Sequence, residues 1–279
     1  MSGAADLARD TAVEPTGDGR YQARLPDSWS FQLPSGGVLL TVALRAMRAA
    51  VPPDRRLLSA TAIFCAPLRA GTLLVDLDVL RAGRTATQLS ATMRQPDVDG
   101  PMLVTATFGA TRPGPDACGR RMPSDLLPPH LGPELLGGRR ESAPRFFHNF
   151  ESRIALGHRW WEQGWEAGEA RFARWHRYLV PQRVADGHVD PLAIPPIADT
   201  MPPSLKMLLG PGHARFSAPS LDLTVHFLDD TDDEWLCTHT TCRRARDGYA
   251  TADVEVWDRA GRLVAYGTQM MVIRYPPGG

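Results

Sequence analysis

The chain has 279 residues, of which 43% are hydrophobic and 22% charged, the profile of a globular protein rather than a disordered or fibrous one. Thirty-one basic residues balance thirty-one acidic ones, so no overall field draws the chain to nucleic acid or to an anionic membrane, and neither is expected as a partner. Cys65, Cys118, Cys237 and Cys242 are too few and too scattered for a disulfide scaffold and read as reduced thiols. The N-terminus carries Asp6, Arg9 and Asp10 in place of a signal peptide's apolar stretch. No run of about 18 apolar residues occurs, so the expected location is cytoplasmic.

Residues 1–18 are small, polar and mixed in charge, and are expected to form a loose tail before a first strand at Tyr21 to Leu25. Ser35-Gly36-Gly37 then introduces an apolar stretch from Val38 to Val51, a largely buried helix with Ser35 near its N-cap and Pro52-Pro53 as its stop. Strands follow at about Leu57–Ala66, around Leu73, Val75, Leu77 and Val79, at Thr85–Gln95 and at Met102–Ala110. Turns at Arg81-Ala-Gly83 and Asp97-Val-Asp-Gly100 suit antiparallel hairpins. From Thr111 to about Pro144 the pattern dissolves into Pro, Gly and charge, which marks a linker.

The same order then repeats. Strands are expected at Phe146–Ile154 and Glu169–Tyr178, a helix across Pro191–Leu209, and strands at Ser220–Leu228, Glu234–Arg243, Tyr249–Trp257 and Arg262–Ile273. Arg246-Asp-Gly248 and Asp258-Arg-Ala-Gly261 echo the two turns of the first half. The chain therefore reads as a duplication of an α+β unit, each copy a helix wrapped by an antiparallel sheet: units at 19–111 and 145–279, joined by 112–144.

Within the last strand, Leu263, Ala265, Gly267, Gln269, Met271 and Ile273 share one face, and a glutamine there is out of place. Its buried amide costs roughly 1–3 kcal/mol if unpaired, so it needs a partner or a task. Aligning Leu103-Val104 with Leu263-Val264 sets Gly109 opposite Gln269, and the first helix has no counterpart of Asp199. Only the second copy carries the suspected chemistry.

Three stretches resemble the acyl-CoA thioesterase II type, a double hotdog family in which two hotdog folds are fused: Ile197-Ala-Asp199-Thr-Met-Pro-Pro203, Pro219-Ser-Leu-Asp-Leu-Thr-Val-His-Phe227 and Gly267-Thr-Gln269-Met-Met-Val-Ile-Arg274. The resemblance spans about Tyr21 to Tyr275. It implies an enzyme that needs no metal or cofactor and hydrolyses acyl-CoA or another acyl thioester, with Asp199, Ser220 and Gln269 around the hydrolytic water and a homo-oligomeric assembly. Serine stands where threonine is frequent in the family. Pro195, Pro196, Pro202 and Pro203 point to a helix that is short or kinked around Asp199.

Thioester hydrolysis needs a nucleophile, a proton acceptor and stabilisation of an oxyanion. Asp199 suits the acceptor, with Ser220 and Gln269 aiming the water. The amides of Gly36-Gly37, or those at the helix start near Leu192, suit the oxyanion. Taken singly, Asp199 also reads as a solvated carboxylate or cap, Ser220 as a strand-start hydroxyl, and Gln269 as a structural amide bonded to backbone. Trp160, Trp161, Trp165 and Trp175 read as core or as tunnel lining. Two other functions fit the same scaffold: a non-catalytic binder of acyl thioesters, and a hotdog hydratase or dehydratase. The latter needs a helix-borne His, which the sequence does not supply.

Overall fold

The computed structural model describes residues 5–276. In chain order its helices and strands are α1 (Leu7–Asp10), β1 (Val13–Gly17), β2 (Arg20–Leu25), α2 (Gly36–Ala49), β3 (Arg56–Phe64), β4 (Gly71–Ala82), β5 (Ala86–Arg94), β6 (Met102–Gly109), β7 (Phe150–Leu156), β8 (Arg171–Tyr178), α3 (Ile194–Ala198), α4 (Pro202–Leu209), β9 (Asp222–Phe227), β10 (Leu236–Arg246), β11 (Tyr249–Trp257) and β12 (Leu263–Val272). All twelve strands form one sheet in the order β1-β2-β4-β5-β6-β3-β9-β12-β11-β10-β8-β7. Every neighbouring pair runs antiparallel.

The order reads the same outward from the β3–β9 join, where Thr61 lies opposite Thr224 and the two hydroxyls bond at 2.9 Å. From that pair one row crosses each half: Thr105, Ser90 and Asp78 on one side, Thr268, Asp253 and Thr241 on the other. Each matched pair differs by 163 in number, the separation of Thr61 and Thr224. The register thus places Ala106, not Gly109, opposite Gln269. The alignment made on Leu103-Val104 and Leu263-Val264 was three residues out: β12 begins ahead of the residue that corresponds to Met102 at the start of β6, and a two-residue match does not fix a register.

α2 is buried almost all round, from Gly37 through Leu44 and again at Ala46 and Met47, so it forms the core of the first half rather than covering one face. It packs on β4, β5 and β6. In the second half the expected single helix is broken. Pro191–Ala193 forms a 3-10 turn, α3 is five residues long, Asp199 is its C-cap, and α4 restarts at Pro202. The four prolines fall within the first three positions of the two short helices, where their missing N–H groups would have been unbonded anyway. The break sets Asp199 at a chain corner.

Two further expectations are corrected. Of the supposed tail, residues 1–4 lie outside the described residues, but Leu7 is fully buried and β1 pairs with β2. The Ala8 amide donates to Gln182 and the Trp29 indole to Asp10, so apolar anchoring and side-chain bonds hold a segment whose composition looked loose. The strand expected from Phe146 begins at Phe150, preceded by a 3-10 turn that buries Phe146 and Phe147. Residues 112–144 carry no strand. They cross the outer face of the second half, where Met122 and Leu126 pack against Trp175 and Trp257. On the outer face of the first half, Ile63, Leu74 and Leu103 stay exposed.

Candidate active site

Asp199 closes α3 and its carboxylate enters a largely apolar interior, 8% exposed. Four donors converge on it. Ser220 Oγ donates to Oδ1 at 2.9 Å and Gln269 Nε2 to the same oxygen at 2.5 Å. Ser35 Oγ and the Gly37 amide donate to Oδ2 at 3.1 and 2.9 Å. Gln269 Nε2 also lies 2.7 Å from Ser220 Oγ, which completes a triangle of the three side chains. The amide orientation follows from charge, since turning Oε1 toward a carboxylate would set two acceptors against each other.

Each residue reaches this point by a separate element. Gln269 sits on the inner face of β12 opposite Ala252 and is 1% exposed. Ser220 precedes β9 instead of opening it, and an isolated bridge to Met271 holds it two residues past Gln269 on the neighbouring strand. Ser35 and Gly37 come from the start of α2, in the other half. A Cβ at Gly37 would lie 2.1 Å from the Pro195 carbonyl oxygen, so α2 and α3 touch backbone to backbone and only glycine fits.

Burial pushes the Asp199 carboxyl above the usual carboxylate range, while the bonds from Gly37, Ser220, Ser35 and Gln269 pull the other way and offset part of that shift. Gln269 Oε1 is buried and has no hydrogen-bond partner among the described residues. The aligned position in the first half, Ala106, carries no amide.

The expected oxyanion donors are redistributed. The Gly37 N–H is taken by Asp199, and the Leu192 N–H by Asp190 at 2.9 Å. The Gly36 N–H, the first of α2, has no acceptor among the described residues, and the Phe64 ring closes on the Gly36 Cα, where a Cβ would stand 2.5 Å from it. Ser35 and Phe64 were missed as site residues. For Ser35 the available signal was a hydroxyl directly ahead of Gly-Gly. Phe64 gives none, because its role depends on the strand order.

Other chemistry-bearing residues lie elsewhere. His239 and Glu255 pair at 3.1 Å on the outer face, beside a groove of about 520 Å³ lined by Arg120, Arg243 and Tyr266. A second outer groove of about 850 Å³ runs past Met122, Trp175 and Arg259. Neither groove is lined by Asp199, Ser220 or Gln269. The four cysteines are free, and burial raises the Cys237 thiol, which suits packing rather than nucleophilic work. Trp175 is buried in the outer-face cluster with Trp257, whereas Trp160 is exposed.

A symmetric twelve-stranded antiparallel sheet with a helical segment packed on each half is a double hotdog. Solved structures share it end to end. A protein of unknown function with a hot dog fold from Alicyclobacillus acidocaldarius matches with a TM-score of 0.80 at 22% identity, covering 97% of this chain and 98% of its own. Acyl-CoA thioesterase II TesB2 from Mycobacterium marinum matches at 0.75 and 20%, covering 98% and 100%. A tesB protein from Mycobacterium avium subsp. paratuberculosis gives 0.71 and 20%, covering 97% and 98%. No curated protein matches the sequence. The acyl-CoA thioesterase N-terminal domain family matches residues 25–109 and the acyl-CoA thioesterase C-terminal domain family residues 123–273. The chain belongs to the acyl-CoA thioesterase family and is a thioester hydrolase.

Proposed function

We propose that the chain hydrolyses an acyl-CoA to the free acid and CoA, using a water held by Asp199, Ser220 and Gln269. The observation that carries this is the convergence of Ser220, Gln269, Ser35 and Gly37 on one buried carboxylate, with Gln269 Oε1 left over as an acceptor. A purely structural glutamine would have both ends satisfied. A carboxylate offers about four acceptor sites, and all are filled here. Water therefore engages Asp199 by replacing the Ser220 or Gln269 bond, and Ser220 is the exchangeable arm because it is half-buried whereas Gln269 is 1% exposed.

In that arrangement the water donates one hydrogen to Asp199 and one to Gln269 Oε1, which fixes its lone pair toward the thioester carbonyl. Attack forms the C–O bond while the proton passes to Asp199, and the Gly36 N–H at the positive end of α2 stabilises the oxyanion. Collapse breaks the C–S bond, and the proton on Asp199 goes to the departing thiolate. No acyl-enzyme is needed. The raised Asp199 carboxyl helps, since a stronger base takes the water's proton more readily.

A panel of acyl-CoAs with a thiol reagent tests the reading: CoA release from at least one chain length is expected. No release above background from any of them would leave the non-catalytic binder. Against the hydratase or dehydratase stands the absence of His from all four α-helices among the described residues. The division into units 19–111 and 145–279 joined by 112–144 is part of the same proposal. So is a homo-oligomer, supported by the exposed Ile63, Leu74 and Leu103, and a reducing compartment, supported by four free cysteines. Light scattering of purified protein at a monomer mass would overturn the oligomer.

A further inference from the structure

β8 carries a buried charged residue on its inner face. Phe172, Arg174 and His176 share the inner face of this strand, and Arg174 is 2% exposed. No carboxylate pairs with it among the described residues. Its Nε donates to His176 Nε2 at 3.2 Å, and its guanidinium lies 5.3 Å from the centre of the Phe147 ring and 5.8 Å from that of Phe172. Both terminal nitrogens, four N–H groups in all, have no acceptor among the described residues. Neither terminal nitrogen is fully sealed from solvent, so part of the little surface Arg174 keeps is at its charged tip.

Its surroundings hold further unpaired polar groups. Because His176 Nε2 accepts from Arg174, the imidazole proton is on Nδ1, and that buried donor has no partner. Ser152, opposite His176 on β7, has an unpaired buried hydroxyl too. Burial drives Arg174 down to about 9, which still leaves it charged at neutral pH, and holds His176 well below its ordinary range and therefore neutral. One net positive charge is buried without a counter-charge, an arrangement that costs several kcal/mol unless an anion completes it.

Arg174 and Gln269 face the same interior. Ala265, Val256, Thr238 and Arg174 form one inner row across β12, β11, β10 and β8, and Gln269 stands two rows along from Ala265. Three strand spacings across and four residues along put the two roughly 20 Å apart over the sheet surface, less through space because the sheet curls. The inner positions between them, Ala252, Cys242, Val254 and Thr240, are none larger than valine. α4, which starts three residues after Asp199, packs over β8, β10 and β11.

We propose that Arg174 binds a carboxylate at the far end of the substrate's acyl group, so that the preferred substrates are thioesters of dicarboxylic acids. The planar guanidinium fork matches a carboxylate in two-point contact and matches a methyl terminus not at all. This rests on the reading of Asp199, Ser220 and Gln269 as the hydrolytic site.

The test compares CoA thioesters of dicarboxylic acids, adipoyl through hexadecanedioyl, with monocarboxylic ones of equal carbon number. At the best length the wild type should favour the dicarboxylic member in kcat/KM by about tenfold or more, the worth of one charge-assisted pair. In Arg174→Met that ratio should fall at least tenfold, and in Arg174→Lys, which keeps the charge but loses the fork, it should also fall. Melting of the ligand-free protein gives an independent readout: removal of an unpaired buried cation should leave Tm equal or higher in Arg174→Met, whereas a packing role would lower it. A preference for monocarboxylic thioesters, an unchanged ratio in both variants, or a lowered Tm in Arg174→Met overturns the proposal. A free short-chain carboxylate that raises the wild-type Tm, with no preference between thioesters, would assign the site to a separate small anion and overturns it equally. Calorimetric binding of the same thioester pairs to Asp199→Asn reads the preference without turnover. Loss of all hydrolysis in the wild type would then sink the hydrolytic reading and leave the carboxylate site to stand or fall on binding.

Discussion

Asp199→Asn keeps the shape of the side chain and removes the proposed proton acceptor. Oδ1 of the asparagine can still accept from Ser220 and Gln269. Its Nδ2 takes the place of an acceptor for the Gly37 amide and the Ser35 hydroxyl. The hydroxyl can turn and accept instead, but the Gly37 N–H is orphaned, at about 1–3 kcal/mol. Against that, the variant no longer buries a carboxylate whose pKa burial has raised, so the two effects oppose each other and Tm should move by no more than about 4 °C. Turnover should respond differently. A positioned general base contributes about 10²–10⁴-fold, or about 3–5 kcal/mol of barrier, so kcat should fall by that factor while Tm barely changes.

The pH dependence gives a second handle. The native protein holds the Asp199 proton more tightly than the unfolded chain does. Ionising it therefore costs stability as pH rises from the ordinary carboxylate value near 4 through the raised native one. Above that window the asparagine variant should gain on the wild type in Tm. In wild-type kcat/KM, an acidic limb should appear above pH 4, because the base must be ionised, and the variant should lack it. CoA release with a thiol reagent across pH measures both. A variant that turns over within about threefold of wild type, or a limb that persists in it, refutes the assignment of Asp199 as base.

Gln269→Glu places a second carboxyl 2.5 Å from Asp199, and since like charges at that distance do not both ionise, the acidic limb should move up by at least about one pH unit. An unmoved limb in the rate profile would separate Gln269 from the titrating group. Gly37→Ala drives a methyl group into the Pro195 carbonyl and should lower Tm by more than about 4 °C, a loss above about 1 kcal/mol, with activity falling alongside; thermal melts and rates on one preparation check it. Arg243→Ala removes a partner of Asp253 whose own side chain is 60% exposed, and should change stability by less than about 1 kcal/mol in denaturant melts.

Strand alternation, the Pro-Pro stop after α2 and the repeated hairpin turns carried enough local information to give the α+β class, the duplication and most strand positions. Each of these depends on contacts within a few residues or on a period-two pattern. The same locality explains the errors. A two-residue apolar match does not fix a strand register, so Gly109 was matched where the paired strands place Ala106. Polar composition hid a segment anchored by Leu7, and the prolines signalled a break near Asp199 without saying that it would turn the carboxylate inward.

The order of Asp199, Ser220 and Gln269 in the chain was legible, and so was the oddity of an amide on an apolar face. Their meeting was not, nor was the arrival of Ser35 and Gly37 from the other half. Side chains as far apart in sequence as 35 and 269 share one carboxylate only because β3 pairs with β9 and α2 packs against α3. The sequence determined which groups could do chemistry. Long-range strand pairing and backbone contact between helices decided which of them touch, because those distances depend on the whole sheet closing and on no single stretch of chain.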